Sequence, residues 1–443
     1  MTSKNSSAAL PSSVYPAPPT IPGDITPADQ AIYVPAITKG YAQDVFAWIQ
    51  AGSSPRPLPN GVIPQNLNFL DPGNKLFRIT HALTSAGLAL SQKRDCIITT
   101  RSRKDTVIIA DSGGYQVASN RLKVRNDQDR NRILRWQEQF DVAITLDVPT
   151  GPLLNPKPYA FANFNDCLSA TVKHLVYYEK HKKADIIWLN VLQGNSPKEC
   201  DVWYDTVRRR FQGQGWAFAG PLRHNFFELL RRILIMLRDG ELHEKRWIHI
   251  LGTSELDTAI LLTALQRAIN EHVNKKIRIS YDTSSPFRNL AWNNAFTIPT
   301  FNTKGMTMPT RNAPDDAGFI GSKLKWPWPS PLGDRMQMGD FCVPKTKKSK
   351  RYRDTLSNHM LAHHNLSALC WGIALANRVF DAETVDRNHT IAYAVGDASE
   401  AIDLVIRTQS LSELYKCRPI FEQLRHGTYD WDSEEERDFD DTP

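Results

Sequence analysis

Short apolar runs recur along the chain, and most of them end on a polar residue or a glycine. The clearest is Val107-Ile108-Ile109-Ala110, followed at once by Asp111-Ser112-Gly113-Gly114-Tyr115-Gln116. Three β-branched residues in four predict a strand buried on both faces, and the glycine pair predicts a sharp turn that lets the chain approach a ligand. Runs of the same kind begin at Ile32, Leu76, Val142, Ile186, Trp216, Trp247 and Ile277, ending near Ala36, Thr80, Asp147, Gln193, Gly220, Gly252 and Asp282. Between them, stretches such as 130–140, 166–180, 226–238 and 254–273 have helical length and spacing. Eight strands alternating with helices predict an α/β chain, a (β/α)8 TIM barrel whose polar strand ends converge on one rim.

The flanks read differently. Residues 1–28 are rich in Ser, Pro, Ala and Thr and predict a disordered or draped arm. The barrel core is expected over 29–297, an insertion over 298–354, closing helices over 355–428 and an acidic tail over 429–443. The insertion carries Lys325-Trp326-Pro327-Trp328-Pro329 and then Lys345, Lys347, Lys348, Lys350, Arg351 and Arg353. Cations interleaved with aromatics suit phosphates and stacked bases, and they equally suit a solvated loop.

Charge sharpens this picture. The 443 residues carry a net +7, yet the last fourteen hold eight acids against Arg437, so the remainder stands at +14. That balance points to a polyanionic partner. Six scattered cysteines (Cys96, Cys167, Cys200, Cys342, Cys370, Cys417) with no signal peptide predict a reduced, cytoplasmic protein rather than a disulfide framework. No apolar run approaches membrane-spanning length, so no membrane partner is expected.

An acid at the carboxyl end of a core strand stands where α/β folds build their sites. Asp111, Asp147 and Asp282 all end such runs, as do Gln193 and Gly220 with Leu222. Two carboxylates from opposite parts of a barrel can divide the breaking of a glycosidic bond, one as nucleophile and one as proton shuttle. An amide, a third carboxylate and free backbone N–H groups match the edge of a guanine-like base. Asp-Ser-Gly-Gly also surrounds the nucleophile of trypsin-like proteases, which would make Ser112 the attacking group. Ala110 and Tyr115 stand where those all-β proteins have Gly and Pro, and the strand–helix alternation opposes that reading.

In these residues the chain resembles the tRNA-guanine transglycosylase superfamily. DSGGYQ is similar to the family's DSGGFQ, TLDVPTG stands at its second acidic strand end, and VLQGN resembles VQGG. FAGPL is similar to its GGL turn, ILGTSE to MGVGTPE, and Tyr281-Asp282-Thr283-Ser284-Ser285-Pro286-Phe287-Arg288 to FDCVxPTR. The resemblance implies that Asp282 attacks the sugar C1′ and that Asp111 is the general acid and base. It implies that Asp147 and Gln193 read the base, with Ser112, Gly113, Gly114, Gly194, Gly220 and Leu222 shaping the pocket. Tyr115 would stack on the base, and Arg288 would meet the polynucleotide. Exchange of one base for another needs no nucleotide cofactor. Pro221 interrupts the Gly-Gly-Leu pattern and removes one N–H.

The family's CxCxxC zinc cluster is missing. Cys342, His359 and His363 are the candidate zinc ligands in its place, with the fourth ligand left open between His364 and Cys370. This divergence, with FRNLAW after Asp282, is most like the DNA-guanine transglycosylase branch. That branch exchanges guanine in DNA for a 7-deazaguanine base such as preQ0 and acts with partner proteins of a DNA-modification system. The alternatives are a tRNA-guanine transglycosylase of the queuosine or archaeosine type, and a non-catalytic nucleic-acid-binding subunit of such an enzyme.

Overall fold

A computed structural model describes residues 29–90, 95–154, 159–223, 225–302, 305–346, 350–382 and 391–424. Eight parallel strands form one sheet: β1 Ile32–Pro35, β2 His81–Ser85, β3 Val107–Asp111, β4 Val142–Ile144, β5 Ile187–Leu192, β6 Gly215–Phe218, β7 Trp247–Ile250 and β8 Arg278–Thr283. β1 pairs with β8 at one end, and the order then runs down to β2. A parallel bridge between Ala36 and Leu83 joins the two ends, with the Ile37 amide donating to the Leu83 carbonyl at 2.9 Å. The sheet thus closes into the (β/α)8 TIM barrel that the alternating pattern predicts.

Alternation along each strand separates two apolar regions. Ile32, Val34, Leu83, Ile109, Ile144 and Val191 belong to a cluster of inward-facing side chains in the barrel. Ile108, Ala143, Trp188, Phe218, Ile248 and Ile279 belong to the larger core beneath the helices. Capping chemistry sets where several helices begin. The side chains of Asn126, Asn163, Ser196 and Asn225 accept from the amides of Asp129, Asp166, Glu199 and Glu228, so that each helix opens on an acid in its first turn. Each such cap contributes about 1 kcal/mol, and the acids suit the positive end of the helix dipole.

One strand lies elsewhere than the hydrophobic pattern suggests. Leu76–Thr80, expected as the second strand, leads into β2, which is His81–Ser85. Leu76, Phe77 and Ile79 are buried outside the barrel, with the Phe77 ring 5.6 Å from that of His363 on the closing helix Thr355–Asp381. In β2 itself only Leu83 is a large apolar residue, because its lumen positions include His81 and Ser85.

The insertion is built on two small antiparallel pairs, Asn294–Phe296 with Thr310–Asn312 and Thr300–Asn302 with Gly305–Thr307. Its tryptophans are not exposed stacking platforms. Trp326 is buried, with ring centroids 5.1 Å from Trp328, 5.3 Å from Phe341 and 5.4 Å from His364. Among the described residues, no helix is long and apolar enough to cross a membrane. The arm 1–28 and the acidic tail 429–443 lie outside the described residues.

Candidate active site

Parallel strands in a closed barrel deliver their last residues to one rim, and this chain places its acids there. Asp111 is the final residue of β3, Asp282 the penultimate residue of β8, and Gln193 follows β5 directly. Asp147 stands three residues beyond β4, Gly220 two beyond β6, and Gly252 two beyond β7.

The carboxylates have unlike surroundings. Asp111 Oδ2 accepts from Ser85 Oγ at 2.8 Å and from the Gly113 amide at 3.2 Å. Burial nevertheless raises its pKa, against those hydrogen bonds, and the charge of Asp282 raises it further. Asp147 is pushed up to about 7 by burial and then by the charge of Asp111, against a 2.7 Å bond from Gln193 Nε2. Asp282 thus acts on Asp111, and Asp111 in turn on Asp147. Asp282 is held differently: Oδ1 accepts from the Gly252 amide at 2.9 Å and faces His249 Nε2 at 3.2 Å. No hydrogen bond among the described residues reaches its Oδ2.

Glycines make the close approaches possible. Gly113 adopts φ +77°, where side chains are strained. A Cβ at Gly114 would lie 2.6 Å from Asp147 Oδ1, so the turn after β3 is seated against the second acid. Gly220, at φ +61°, opens the short turn Gly220–Arg223, and a Cβ there would stand 3.4 Å from Gln193 Oε1. Leu222 in that turn is buried. The Gly194 amide is already engaged, donating to Thr150 Oγ1 at 3.1 Å. The side chains of Tyr115 and Pro221 lie outside what the structure describes.

Buried polar atoms without a protein partner gather in the same loops: Ser112 Oγ, Gln193 Oε1 and Thr253 Oγ1. A buried acceptor or donor left unmade costs about 1–3 kcal/mol, so such atoms suit a polar ligand. Among the described residues no imidazole hydrogen-bonds Ser112 Oγ, so the pairing that a protease nucleophile needs is not formed.

The proposed zinc ligands do not come together. His359 Nε2 faces Asp44 Oδ2 at 3.0 Å, His363 Nε2 the Asn66 carbonyl at 3.1 Å, and Cys342 Sγ the Pro314 carbonyl at 3.6 Å. His364 is satisfied at both nitrogens, by Ser330 Oγ at 2.7 Å and the Phe296 carbonyl at 2.9 Å. Four-residue spacing aligns His359 and His363 on one helix face, but that face is packed against other elements, and each ring takes its own partner. The His and Cys donors therefore do not fit a tetrahedral zinc site. Among the described residues, the donors that do gather are exposed Glu271 and partly buried His272 and Asp403, where His272 faces Asp403 at 3.0 Å between two outer helices.

Of the basic residues, Arg288 lies in the short helix after β8 and Arg351 comes close to the segment that follows it. The Arg288 guanidinium lies 6.0 Å from the ring of half-exposed Trp292, and Arg351 Nη2 reaches the Ala291 carbonyl at 3.5 Å. Lys345 Nζ sits 4.3 Å from the ring of Tyr352, and Lys350 is exposed. Lys347 and Lys348 lie outside the described residues. Trp292 and His249 were not legible as site residues. A lone histidine in Trp-Ile-His-Ile reads as core, and only alternation in β7 and β8, which turns His249, Ser280 and Asp282 toward the lumen, gives it away. Neither a protein-family model nor a curated protein matches the chain.

Proposed function

We propose that the chain is a guanine transglycosylase of the tRNA-guanine transglycosylase superfamily. It exchanges a guanine in DNA for a 7-deazaguanine base such as 7-cyano-7-deazaguanine. One observation carries the reading. Two carboxylates from distant strands share a rim, and their environments suit opposite tasks. Asp282 has one oxygen engaged by an amide and faced by an imidazole while the other, among the described residues, carries no hydrogen bond, as a nucleophile requires. Asp111 is biased toward its protonated form, as a general acid requires.

In the forward step Asp282 forms a bond to C1′ as the bond from C1′ to guanine N9 breaks. Asp111 gives its proton to the departing base. The incoming base then attacks C1′, Asp111 takes the displaced proton, and Asp282 is released unchanged. Asp147 and Gln193 hold the base edge, and Gly113 and Gly114 let the backbone approach it. The target must leave its stack, at a cost of a few kcal/mol in a duplex. The cation and aromatic pairs Arg288–Trp292 and Lys345–Tyr352 are suited to repay that cost through phosphate contacts and stacking. The motif resemblance supports the family. The divergent segment around Cys342, His359 and His363 supports the DNA branch over an ordinary tRNA enzyme.

The test is to incubate the full chain with labelled guanine or preQ0 and either DNA or tRNA. Label is expected in DNA, with none after Asp282→Asn and no covalent adduct trapped. Label entering only tRNA overturns the DNA assignment, and label entering neither overturns the transglycosylase reading.

A further inference from the structure

Behind Asp282 lies a chain of three buried side chains that the exchange chemistry does not itself require. Trp247 Nε1 donates to Ser280 Oγ at 2.7 Å, Ser280 Oγ meets His249 Nδ1 at 2.7 Å, and His249 Nε2 meets Asp282 Oδ1 at 3.2 Å. His249 and Ser280 are fully buried and Trp247 nearly so. We infer that His249 is a positioning residue for Asp282, held in its Nε2–H tautomer by Ser280 and Trp247 so that it presents a fixed donor to Oδ1. This inference rests on the transglycosylase reading for its catalytic meaning, and on geometry alone for the tautomer.

The direction of the chain follows from donor bookkeeping. Indole N–H can only donate, so Ser280 Oγ accepts from Trp247. The hydroxyl hydrogen is then free for one acceptor, and Nδ1 of His249 is the partner at hand. An Nδ1 that accepts leaves the imidazole proton on Nε2, facing a carboxylate oxygen that needs a donor. The opposite tautomer would set two lone pairs against each other at Oδ1 and leave the serine hydrogen without an acceptor in a buried site. Every donor therefore points toward Asp282.

The consequence is geometric. With the Gly252 amide and His249 Nε2 both on Oδ1, the carboxylate has fixed rotation about its Cβ–Cγ bond. Oδ2, which has no hydrogen bond among the described residues, is then the atom left for the sugar in the proposed reaction. Preorganisation of this kind removes reorientation from the reaction and excludes the rotamer in which the nucleophilic oxygen turns away.

Three variants of the full chain test this: His249→Leu, which removes the donor; His249→Gln, whose amide N–H replaces it; and Ser280→Ala, which frees the tautomer. In base exchange, His249→Leu is expected to lower kcat by roughly 100-fold with KM for guanine unchanged, and His249→Gln to recover to within about tenfold of wild type. In 15N-histidine spectra, the signal lost in His249→Gln should show a protonated Nε2 and an unprotonated Nδ1, and Ser280→Ala should disturb that pattern. A fully active His249→Leu, or an Nδ1–H tautomer, overturns the inference. If wild type exchanges no base while the tautomer is as assigned, the transglycosylase reading falls with the catalytic role, and the clamp on Asp282 stands. Far-ultraviolet circular dichroism separates any variant that fails to fold, and Ser280→Ala then carries the test.

Discussion

Asp147 is the side chain whose environment makes the most direct demand on experiment. Burial and the nearby charge of Asp111 push it up to about 7, so the empty site holds a proton there at mildly acidic pH. Under the proposed function a guanine-type edge would present N–H donors, which favour the ionised carboxylate, so its binding would expel that proton below pH 7. Guanine affinity is expected to weaken about tenfold per pH unit below about 7 and to level above it. Calorimetric titration from pH 5.5 to 8.5 checks this, and Asp147→Asn should give a flat profile. The same carboxyl has a stability signature of definite sign. Its folded pKa is above its ordinary value of 3.8, so its contribution is complete below about 4 and is lost as pH rises through about 7. Gly114 shares the site's tolerance. With a Cβ meeting Asp147 Oδ1 at 2.6 Å, Gly114→Ala is expected to cost roughly 1–3 kcal/mol in urea unfolding and to abolish purine binding by displacing that carboxylate. Asp111 and Asp282 were legible because an acid closing a β-branched run is conspicuous. His249 was not, since its role exists only once β7 and β8 lie side by side.

The elements repeat that division between what neighbours in sequence reveal and what neighbours in space decide. Strand runs and helix periodicity gave the barrel, because each βα unit carries its own pattern of lumen, core and surface. The second strand slipped by five residues because the stronger apolar run, Leu76–Thr80, packs outside the barrel while the lumen takes polar side chains from His81–Ser85. The closing helix shows the same limit. It was legible as a helix, but the partners of its histidines were not. His359, His363 and His364 are all buried, and each joins the helix to a different element: the first barrel helix through Asp44, the loop at Asn66, and the insertion at Ser330 and Phe296. Burial lowers His363 and His364 to about 4. A histidine held neutral contributes fully above its ordinary value of 6.5 and loses that contribution as pH falls through about 4, opposite in sign to Asp147. Acid unfolding by urea at pH 7 and pH 5 should therefore show a loss of stability that His364→Leu reduces. That variant itself should cost roughly 1–3 kcal/mol at pH 7, because Ser330 and the Phe296 carbonyl lose their partner.

At the scale of the molecule, polarity inside the barrel is concentrated on one side. β7 and β8 turn His249, Ser280 and Asp282 inward, β2 and β3 add Ser85 and Asp111, and the other strands line the lumen with aliphatic residues. Asp282 thus stands one residue from the end of the strand that precedes the insertion, and Arg351 of the insertion reaches the Ala291 carbonyl shortly beyond it. A chain carrying +14 outside its acidic terminus should bind polynucleotide with marked salt dependence. If Arg288 and Lys345 contact phosphates, replacing each with Ala should reduce the slope of log K against log salt by about one, while weakening binding alike for all sequences. Trp292 makes a different prediction. Half-exposed beneath the Arg288 guanidinium, its ring offers a stacking face, so Trp292→Ala should weaken binding of an unstacked strand by about 1–3 kcal/mol and leave the salt slope unchanged. Fluorescence anisotropy on single-stranded and duplex oligonucleotides across about 50–300 mM salt (roughly 0.8 of a decade in log salt) resolves both effects. Equal losses for the two substrates would rule out stacking on an unpaired base, and no loss for either would place Trp292 outside the contact. Unchanged slopes in both charge variants would place any phosphate track elsewhere than at Arg288 and Lys345, and the proposed base exchange would then need a different anchor for its polynucleotide.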